Sequence, residues 1–438
     1  MVFQTVGPGT VGVNLLAVST SAIQPLLASY HRGCFHPTAK RTSGVLANPV
    51  RGNATYLYHV LGDGCHNNNA RNLTAMWMTT VGVPFFLSII AMFGVMPWVI
   101  RFAKRFHLVD DPKKRKHPAH THKGIIPRAG GLAIFLVISI ISFFYLPLNK
   151  LVIGIGISCL LLTVVGLLDD KKDVSPYIRI VTNAIAIGIV IVAGAGIPYI
   201  TNPANGTILR LDTWRITIDF FGTHSILIWS ALVAFLWLMW TTNIVGWSAG
   251  VEGQMPGFVS ISAAVIGILS MRYSLADPTQ IPITILAFIV SGAWLGFIPW
   301  NFYPQKIMPG YSGKTLAGFL LGLLAILSYG KLGTALLVLG IPTIDAAFIL
   351  LRRILRGKSP VLADNQHLHH VLLAAGWGKR QIALFYWGVS AILGAVALTV
   401  TSQQKIFTFI LIAVAIGGFL LWVNFFSQFS KPHDQDSG

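Results

Sequence analysis

The chain has 438 residues, of which 54% are hydrophobic and 11% charged, with a formal net charge of +18 and a mean hydropathy of +0.68. Soluble domains carry about 25% charged residues, so the composition excludes a soluble globular protein and reads as an all-α integral membrane protein. The positive charge does not point to nucleic acid. Twenty-one Lys and Arg fall in one set of alternate connections and six in the other, which is the positive-inside bias, and basic residues beside anionic lipid account for most of the excess.

Residues 1–75 do not match the rest of the chain. Gly62-Asp63-Gly64-Cys65-His66-Asn67-Asn68-Asn69 is polar and turn-rich, and the mildly apolar stretch 11–28 lacks the charged start of a signal peptide. We read this region as an atypical N-terminal extension, an over-extended start with Met76 or Met78 as the true one. A weak extra span or an unstructured extension are the other readings. A multi-pass domain over 76–427 and a polar cytosolic tail over 428–438 complete the division.

Runs of roughly 17–25 apolar residues suffice to span a bilayer, and about eleven transmembrane helices are predicted. They lie near 79–100, 130–147, 151–168, 179–198, 225–242, 257–272, 281–299, 315–330, 332–351, 382–401 and 406–426. The sixth and eighth are short and Gly-rich. The charge bias puts the first span's N-terminus outside and the C-terminus in the cytosol.

After the first span the chain reads Asp110-Asp111-Pro112-Lys113-Lys114-Arg115-Lys116-His117, then Pro127-Arg128-Ala129-Gly130-Gly131. A solvated basic loop would look like this, but two glycines opening a helix also let an anion approach backbone N–H groups. Next come Asp169-Asp170-Lys171-Lys172-Asp173, which place three of the chain's 14 acidic residues within five positions at the end of an apolar run. Charge at that depth costs several kcal/mol unless paired or functional. Adjacent carboxylates suggest a divalent cation and a phosphate substrate, while an ordinary juxtamembrane cap with helical Asp–Lys pairs is the plainer reading.

In 199–224, Leu209, Leu211, Trp214, Ile216, Ile218 and Phe220 alternate with polar residues. The pattern predicts a small outer β-hairpin near 207–221, turning at Asp212-Thr213 and taking no part in chemistry. Residues 243–257 contain no Lys or Arg, four glycines and Glu252, the only glutamate of the chain; the segment is a flexible connector or a tight loop open to a ligand. Gly310-Tyr311-Ser312-Gly313-Lys314-Thr315 superficially resembles a phosphate loop, but lacks the first glycine and a preceding strand. It still opens a helix that can face an anion. Asp364-Asn365-Gln366-His367-Leu368-His369-His370 comes after Arg352, Arg353 and Arg356, and such histidines ligate a metal or hydrogen-bond a pyrophosphate or sugar. Cys34, Cys65 and Cys159 make no framework and no zinc spacing. The charge bias places all five polar segments on the cytosolic side, where they can converge. A transporter would instead show internal repeats and a midplane site.

From about residue 80 to 427 these motifs, in this order, resemble the polyprenyl-phosphate N-acetylhexosamine-1-phosphate transferase family. The loop from Asp111-Pro112 to Gly131, the pair Asp169-Asp170 with Asp173, and Asp345, Arg352-Arg353, Gly357, Ser359-Pro360, Asp364 and His367 to His370 carry the resemblance. The length of the last loop favours the N-acetylglucosamine-type branch. The resemblance implies transfer of a sugar 1-phosphate from a UDP-N-acetylhexosamine to undecaprenyl or another polyprenyl phosphate, with release of UMP, at the cytosolic face of the inner membrane. It implies Mg²⁺, or Mn²⁺ in its place, and a homodimer in membrane lipid. Asp169 and Asp170 are the expected catalytic residues, with Asp170 and Glu252 on the metal. Lys116, Arg128, Asn243, Glu252, His367, His369 and His370 are expected on substrate. The segment from Asn243 to Gly253 matches a family motif at Asn243, Gly250 and Gly253, but Gly246 stands where the family has an asparagine, and Ala249, Glu252 and Tyr311 stand where it has aspartates. A neutral phenol is a poor Mg²⁺ ligand, so a degenerate, non-catalytic lipid-phosphate or nucleotide-sugar binder is the alternative.

Overall fold

The computed structural model describes residues 77–111, 124–202, 205–219, 223–274, 276–329, 332–357 and 367–429. The reading of 1–75 and the Lys116 and Asp364 expectations lie outside the described residues. The chain divides into two compact units, Met1–Val83 and Pro84–Gly438. Of the first, the described part is essentially one π-helical turn, Met78–Gly82.

The second unit is a helical bundle. Helix α1 (Val83–Arg105) leads to a two-residue ladder, β1 (Val109–Asp110) against β2 (Ile126–Pro127), then α2 (Gly130–Tyr145), α3 (Lys150–Lys172) and α4 (Pro176–Val192). Strands β3 (Tyr199–Thr201), β4 (Ile208–Arg210), β5 (Arg215–Asp219) and β6 (Thr223–Leu227) come next. Then come α5 (Ile228–Trp247), α6 (Gln254–Ser274), α7 (Gln280–Asn301), α8 (Gly310–Leu327), α9 (Leu332–Val338), α10 (Gly340–Leu355), α11 (Leu368–Ala374), α12 (Lys379–Thr399) and α13 (Ser402–Phe429).

Each of the predicted apolar runs coincides with a helix or a helix pair. Among the described residues eight helices are long and apolar enough to cross a membrane, α2 and α4 are apolar but shorter, and α9 with α10 is one run bent by 83°. Pro342 favours the bend: it has no N–H for the Val338 carbonyl and its ring crowds that carbonyl in a continuous helix, and α10 starts afresh with Pro342 in its first turn, where no such donor is needed.

The two Gly-rich runs are the most enclosed spans. The apolar windows of α8 and α6 are 83% and 78% buried, against 11% for α13. In lipid the hydrophobic effect does not drive helices together, and small residues that permit close backbone contact do. A Cβ at Gly318 would sit 2.4 Å from the Thr241 carbonyl oxygen of α5. Polar side chains tie the same core. The Ser260 hydroxyl donates to the Ser291 carbonyl and that of Ser291 to the Ser260 carbonyl, both at 2.9 Å, and Trp237 donates its indole N–H to the Gly322 carbonyl at 3.0 Å.

The expected single hairpin near 207–221 is replaced by two. β4 pairs with β3 (Tyr199↔Arg210 to Thr201↔Ile208) and β5 with β6 (Arg215↔Leu227 to Asp219↔Thr223). Asp212-Thr213 joins the two ladders rather than turning between partners. Alternation fixed the strand character of 208–210 and 215–219, but their partners lie in the flanks that continue into α4 and α5.

Candidate active site

Helix α3 ends in an acidic turn because Asp173 adopts a left-handed conformation (φ 48°) and its N–H closes on the Asp169 carbonyl. Asp169 and Asp170 are both buried. Asp169 Oδ1 accepts from Arg179 Nε at 2.5 Å and from the Val174 N–H at 3.1 Å. Asp170 reaches across to α8: Oδ1 accepts the Tyr311 N–H at 2.8 Å and Oδ2 the Ser312 hydroxyl at 3.3 Å. A helix N-terminus has N–H groups without intrahelical partners and favours a negative charge. Asp170 therefore caps α8 from another helix, and Arg128 Nε lies 3.3 Å from the same Oδ1.

Arg128 is aimed by the β1–β2 ladder. Its N–H donates to the Leu108 carbonyl at 2.9 Å, and its guanidinium also lies 3.9 Å from Asp110. The reading of Gly130 and Gly131 as N–H groups open to an anion does not hold: these donate to the Met308 and Pro309 carbonyls at 3.0 and 2.9 Å. The glycines are there for contact. A Cβ at Gly131 would lie 2.2 Å from the Gly313 nitrogen, and one at Gly310 (φ +70°) 2.2 Å from Asp170 Oδ2.

Two residues of α4 complete this cluster. Arg179 places its guanidinium 5.0 Å from the Tyr311 ring centroid, a cation–π geometry. Asn183 donates to the Tyr311 hydroxyl at 3.4 Å, while its own Oδ1 is buried with no hydrogen-bond partner among the described residues. Neither residue stood out in the sequence, where Arg179 is one more positive charge and Asn183 a lone amide in an apolar run. Their signal is the i, i+4 spacing, which puts both on one helix face.

A second cluster forms around 250–253, 301–305 and 367–380. Glu252 Oε1 accepts from Lys379 Nζ at 2.9 Å and from Gln305 Nε2 at 3.3 Å. The Gly253 N–H donates to Asn301 Oδ1 at 3.0 Å. His367 Nδ1 lies 2.9 Å from Asp345 Oδ2, and the Leu368 N–H donates to the other carboxylate oxygen at 2.8 Å. Buried Asp345 thus fixes the start of α11. The His367 and His369 rings stack with centroids 5.5 Å apart, and His370 lies at 4.3 Å from His369. His369 lies against the loop backbone: a Cβ at Gly250 would be 1.9 Å from its Nε2. Burial, then the neighbouring His370, His367 and Lys314, hold the His369 imidazole well below the ordinary histidine range. It is a neutral ring at pH 7.

Of the expected site residues, Asp169, Asp170 and Arg128 meet in the first cluster, and Glu252, His367, His369 and His370 gather in the second. Asn243 turns back on its own helix, donating to the Met239 carbonyl at 2.7 Å. No group of three His, Cys, Asp or Glu that could hold a metal occurs among the described residues. Magnesium is commonly held by one or two carboxylates together with substrate phosphates and water. The aspartate pair fits that need, and Asn183 Oδ1 is an orphaned buried acceptor on the amide that donates to the Tyr311 hydroxyl. The described contacts of Glu252 are with Lys379 and Gln305, in the second cluster.

A family model described as Glycosyl transferase family 4 matches residues 152–329, which run from α3 to the end of α8. The chain is 30% identical over 342 residues to the undecaprenyl-phosphate alpha-N-acetylglucosaminyl 1-phosphate transferase of Salmonella typhi, covering 74% of this chain and 84% of that protein. This chain belongs to glycosyl transferase family 4. It is also 28% identical over 336 residues to the probable undecaprenyl-phosphate N-acetylglucosaminyl 1-phosphate transferase of Bacillus subtilis (strain 168), covering 74% and 86% of the two chains. The corresponding enzyme of Escherichia coli (strain K12) is 29% identical over 338 residues, with 74% and 84% covered. The stretch matching the glycosyl transferase family 4 model contains both aspartates, Arg179, Asn183, Glu252 and the opening of α8.

Proposed function

We propose that this membrane enzyme transfers an N-acetylhexosamine 1-phosphate from its UDP-sugar to undecaprenyl phosphate, releasing UMP. The observation that carries the reading is the buried Asp169-Asp170 pair held between Arg128, Arg179 and the Tyr311 N–H in the first turn of α8, in a chain whose relatives bear that activity in their names. A lipid-phosphate oxygen attacks the phosphorus attached to the sugar. One P–O bond forms, the anhydride bond to UMP breaks, and the electron pair leaves on the UMP phosphate. Such transfer is positioning plus charge neutralisation. Arg128 and Arg179 are fixed cations for the phosphates, since their carboxylate partners hold them in place. Asp169 orients the attacking lipid phosphate, or takes its proton when it arrives protonated. Asp169, Asp170 and Asn183 Oδ1 would hold Mg²⁺, which when bound would neutralise charge on the pyrophosphate. Stacked, neutral His369 with His367, His370 and Glu252 offers hydrogen bonds to the nucleotide sugar. Lys116 belongs to the phosphate-binding set in this proposal, and Asn243 to the nucleotide contacts, reached by a rotamer change.

The same proposal includes eleven crossings, a cytosolic C-terminus, an inner-membrane location with the site on the cytosolic face, and a homodimer. The test of the chemistry is exchange of radiolabelled UMP into UDP-N-acetylglucosamine and other UDP-sugars, by purified protein in nanodiscs containing undecaprenyl phosphate. Exchange that depends on Mg²⁺ and is lost in Asp169→Asn and Asp170→Asn is the expected result. Absence of exchange with every UDP-sugar would overturn the reading in favour of a non-catalytic binder.

A further inference from the structure

We propose that the Lys314 ammonium is a phosphate-binding cation of this site, placed between the two clusters to receive the pyrophosphate of the donor. The proposal rests on the transferase reading above and names a residue that this reading does not use. Among the described residues Arg128, Arg179 and Lys379 contact the aspartate pair and Glu252. Arg179 is matched by Asp169, Arg128 by Asp170 and Asp110, and Lys379 by Glu252. Lys314 is different. It is half-buried in the second turn of α8, and no hydrogen bond or ion pair engages it among the described residues.

Its position is fixed from both sides. Its Cβ lies over the end of α5, 3.7 Å from where a Cβ of Gly246 would be. It follows Tyr311 and Ser312, whose N–H and hydroxyl engage Asp170, and Gly246 is four residues before Gly250, against which His369 lies. A half-buried ammonium beside two guanidiniums, without a carboxylate of its own, is unfavourable unless an anion comes to it. Against Asp169, Asp170 and Asp110 stand Arg128, Arg179 and Lys314, and Lys314 is the one of these three cations with no ion pair among the described residues, so it is the one open to an incoming anion. Lysine suits the task, since it is a compact point charge whose three donors rotate to meet phosphate oxygens.

The experiment is equilibrium binding of UDP, with uridine as the probe without phosphate, to the full-length protein in nanodiscs free of polyprenyl phosphate, with EDTA present. The expected result is a UDP affinity at least tenfold weaker in Lys314→Met, uridine binding unchanged, and partial recovery in Lys314→Arg. The melting temperature of Lys314→Met should equal or exceed that of the wild type, because an unmatched charge has been removed; a structural lysine would move it the other way. Lys314→Gln serves as the second variant if the methionine form does not fold. Wild-type UDP affinity in a folded Lys314→Met or Lys314→Gln protein overturns the proposal while leaving the transferase reading intact. A wild type that binds neither UDP nor uridine overturns both.

Discussion

The aspartate cluster and the histidine cluster solve opposite problems at the helix ends. Around Asp169 and Asp170 each carboxylate is met by a guanidinium at 2.5 and 3.3 Å, and α2, α3 and α8 approach so closely that side chains at Gly131 and Gly310 would collide with their neighbours. Around His367 to His370 one buried carboxylate, Asp345, orders one ring, and the rest is stacking and contact with Gly250. The first region is charge held rigidly by charge; the second is stacked rings held by shape. A phosphoryl group needs the first and a nucleotide sugar needs the second, so damage to each should appear in a different kinetic constant.

The largest effect should come from breaking the charged region. Asp170→Asn is expected to lower the exchange rate by about 10²–10³-fold, the loss that accompanies removal of one transition-state charge contact. Because the Asn side-chain oxygen can still accept the Tyr311 N–H, the cap survives in this variant, whereas Asp170→Ala should lose about 1 kcal/mol of stability, read as a lower melting temperature. Wild-type exchange in Asp170→Asn would remove the aspartates from the mechanism. Breaking the histidine region should be milder and of another kind. Gly250→Ala must displace His369, and we expect the KM for the UDP-sugar to rise about tenfold, about 1.4 kcal/mol, with kcat nearly kept. A fall in kcat with KM unchanged would mean that His369 acts on the reacting phosphates instead.

Tyr311→Asp sharpens the contrast from the other side. A carboxylate beside Asn183 and the aspartate pair adds an oxygen ligand. The Mg²⁺ concentration for half-maximal exchange should fall without loss of activity. If the variant creates Mg²⁺-dependent exchange that the wild type lacks, the natural chain is the degenerate binder.

A pH series separates the regions without changing their shape. The folded-state pKa of His369 lies below its ordinary value near 6.5, so the unfolded chain binds the extra proton first. Its contribution to stability is complete above about pH 6.5 and is lost as pH falls towards the folded pKa. The groups facing it are His370, His367 and Lys314, with Asp345 behind His367. The melting temperature should therefore drop between pH 7 and 5, and His369→Gln should flatten that part of the curve. The smallest effect belongs to the strand region: Asp212 pairs with exposed Arg210, and Asp212→Asn should leave exchange and melting temperature unchanged.

Much of the site was legible as residue types. Asp169-Asp170, Arg128, Glu252 and the three histidines stood out because charge and polarity are scarce in this chain, and scarcity next to an apolar run is visible without coordinates. Their grouping was not. The sequence suggested Asp170 and Glu252 on one metal, whereas Glu252 pairs with Lys379, which lies 127 positions further along the chain. Arg179 and Asn183 were missed because each alone is an ordinary residue, Lys314 was set aside with the phosphate-loop reading of 310–315, and only the packing of α4 and α8 against the end of α3 gives each a role. Asn243 was named for its match to a motif, yet its amide is bonded to its own helix.

The primary sequence alone determined the membrane character, the apolar segments and the list of polar residues at their ends, because these depend on local hydropathy and on side-chain chemistry that does not change with context. Only the tertiary structure decided which helices are enclosed, with α8 at 83% and α13 at 11% buried, which strands pair, and where the 332–351 run breaks. It also decided what the glycines are for. The expectation at Gly130-Gly131 was an anion at the backbone, and the structure puts another helix there, since a missing side chain records only that something comes close, and what comes close is chosen by chain segments far away in sequence.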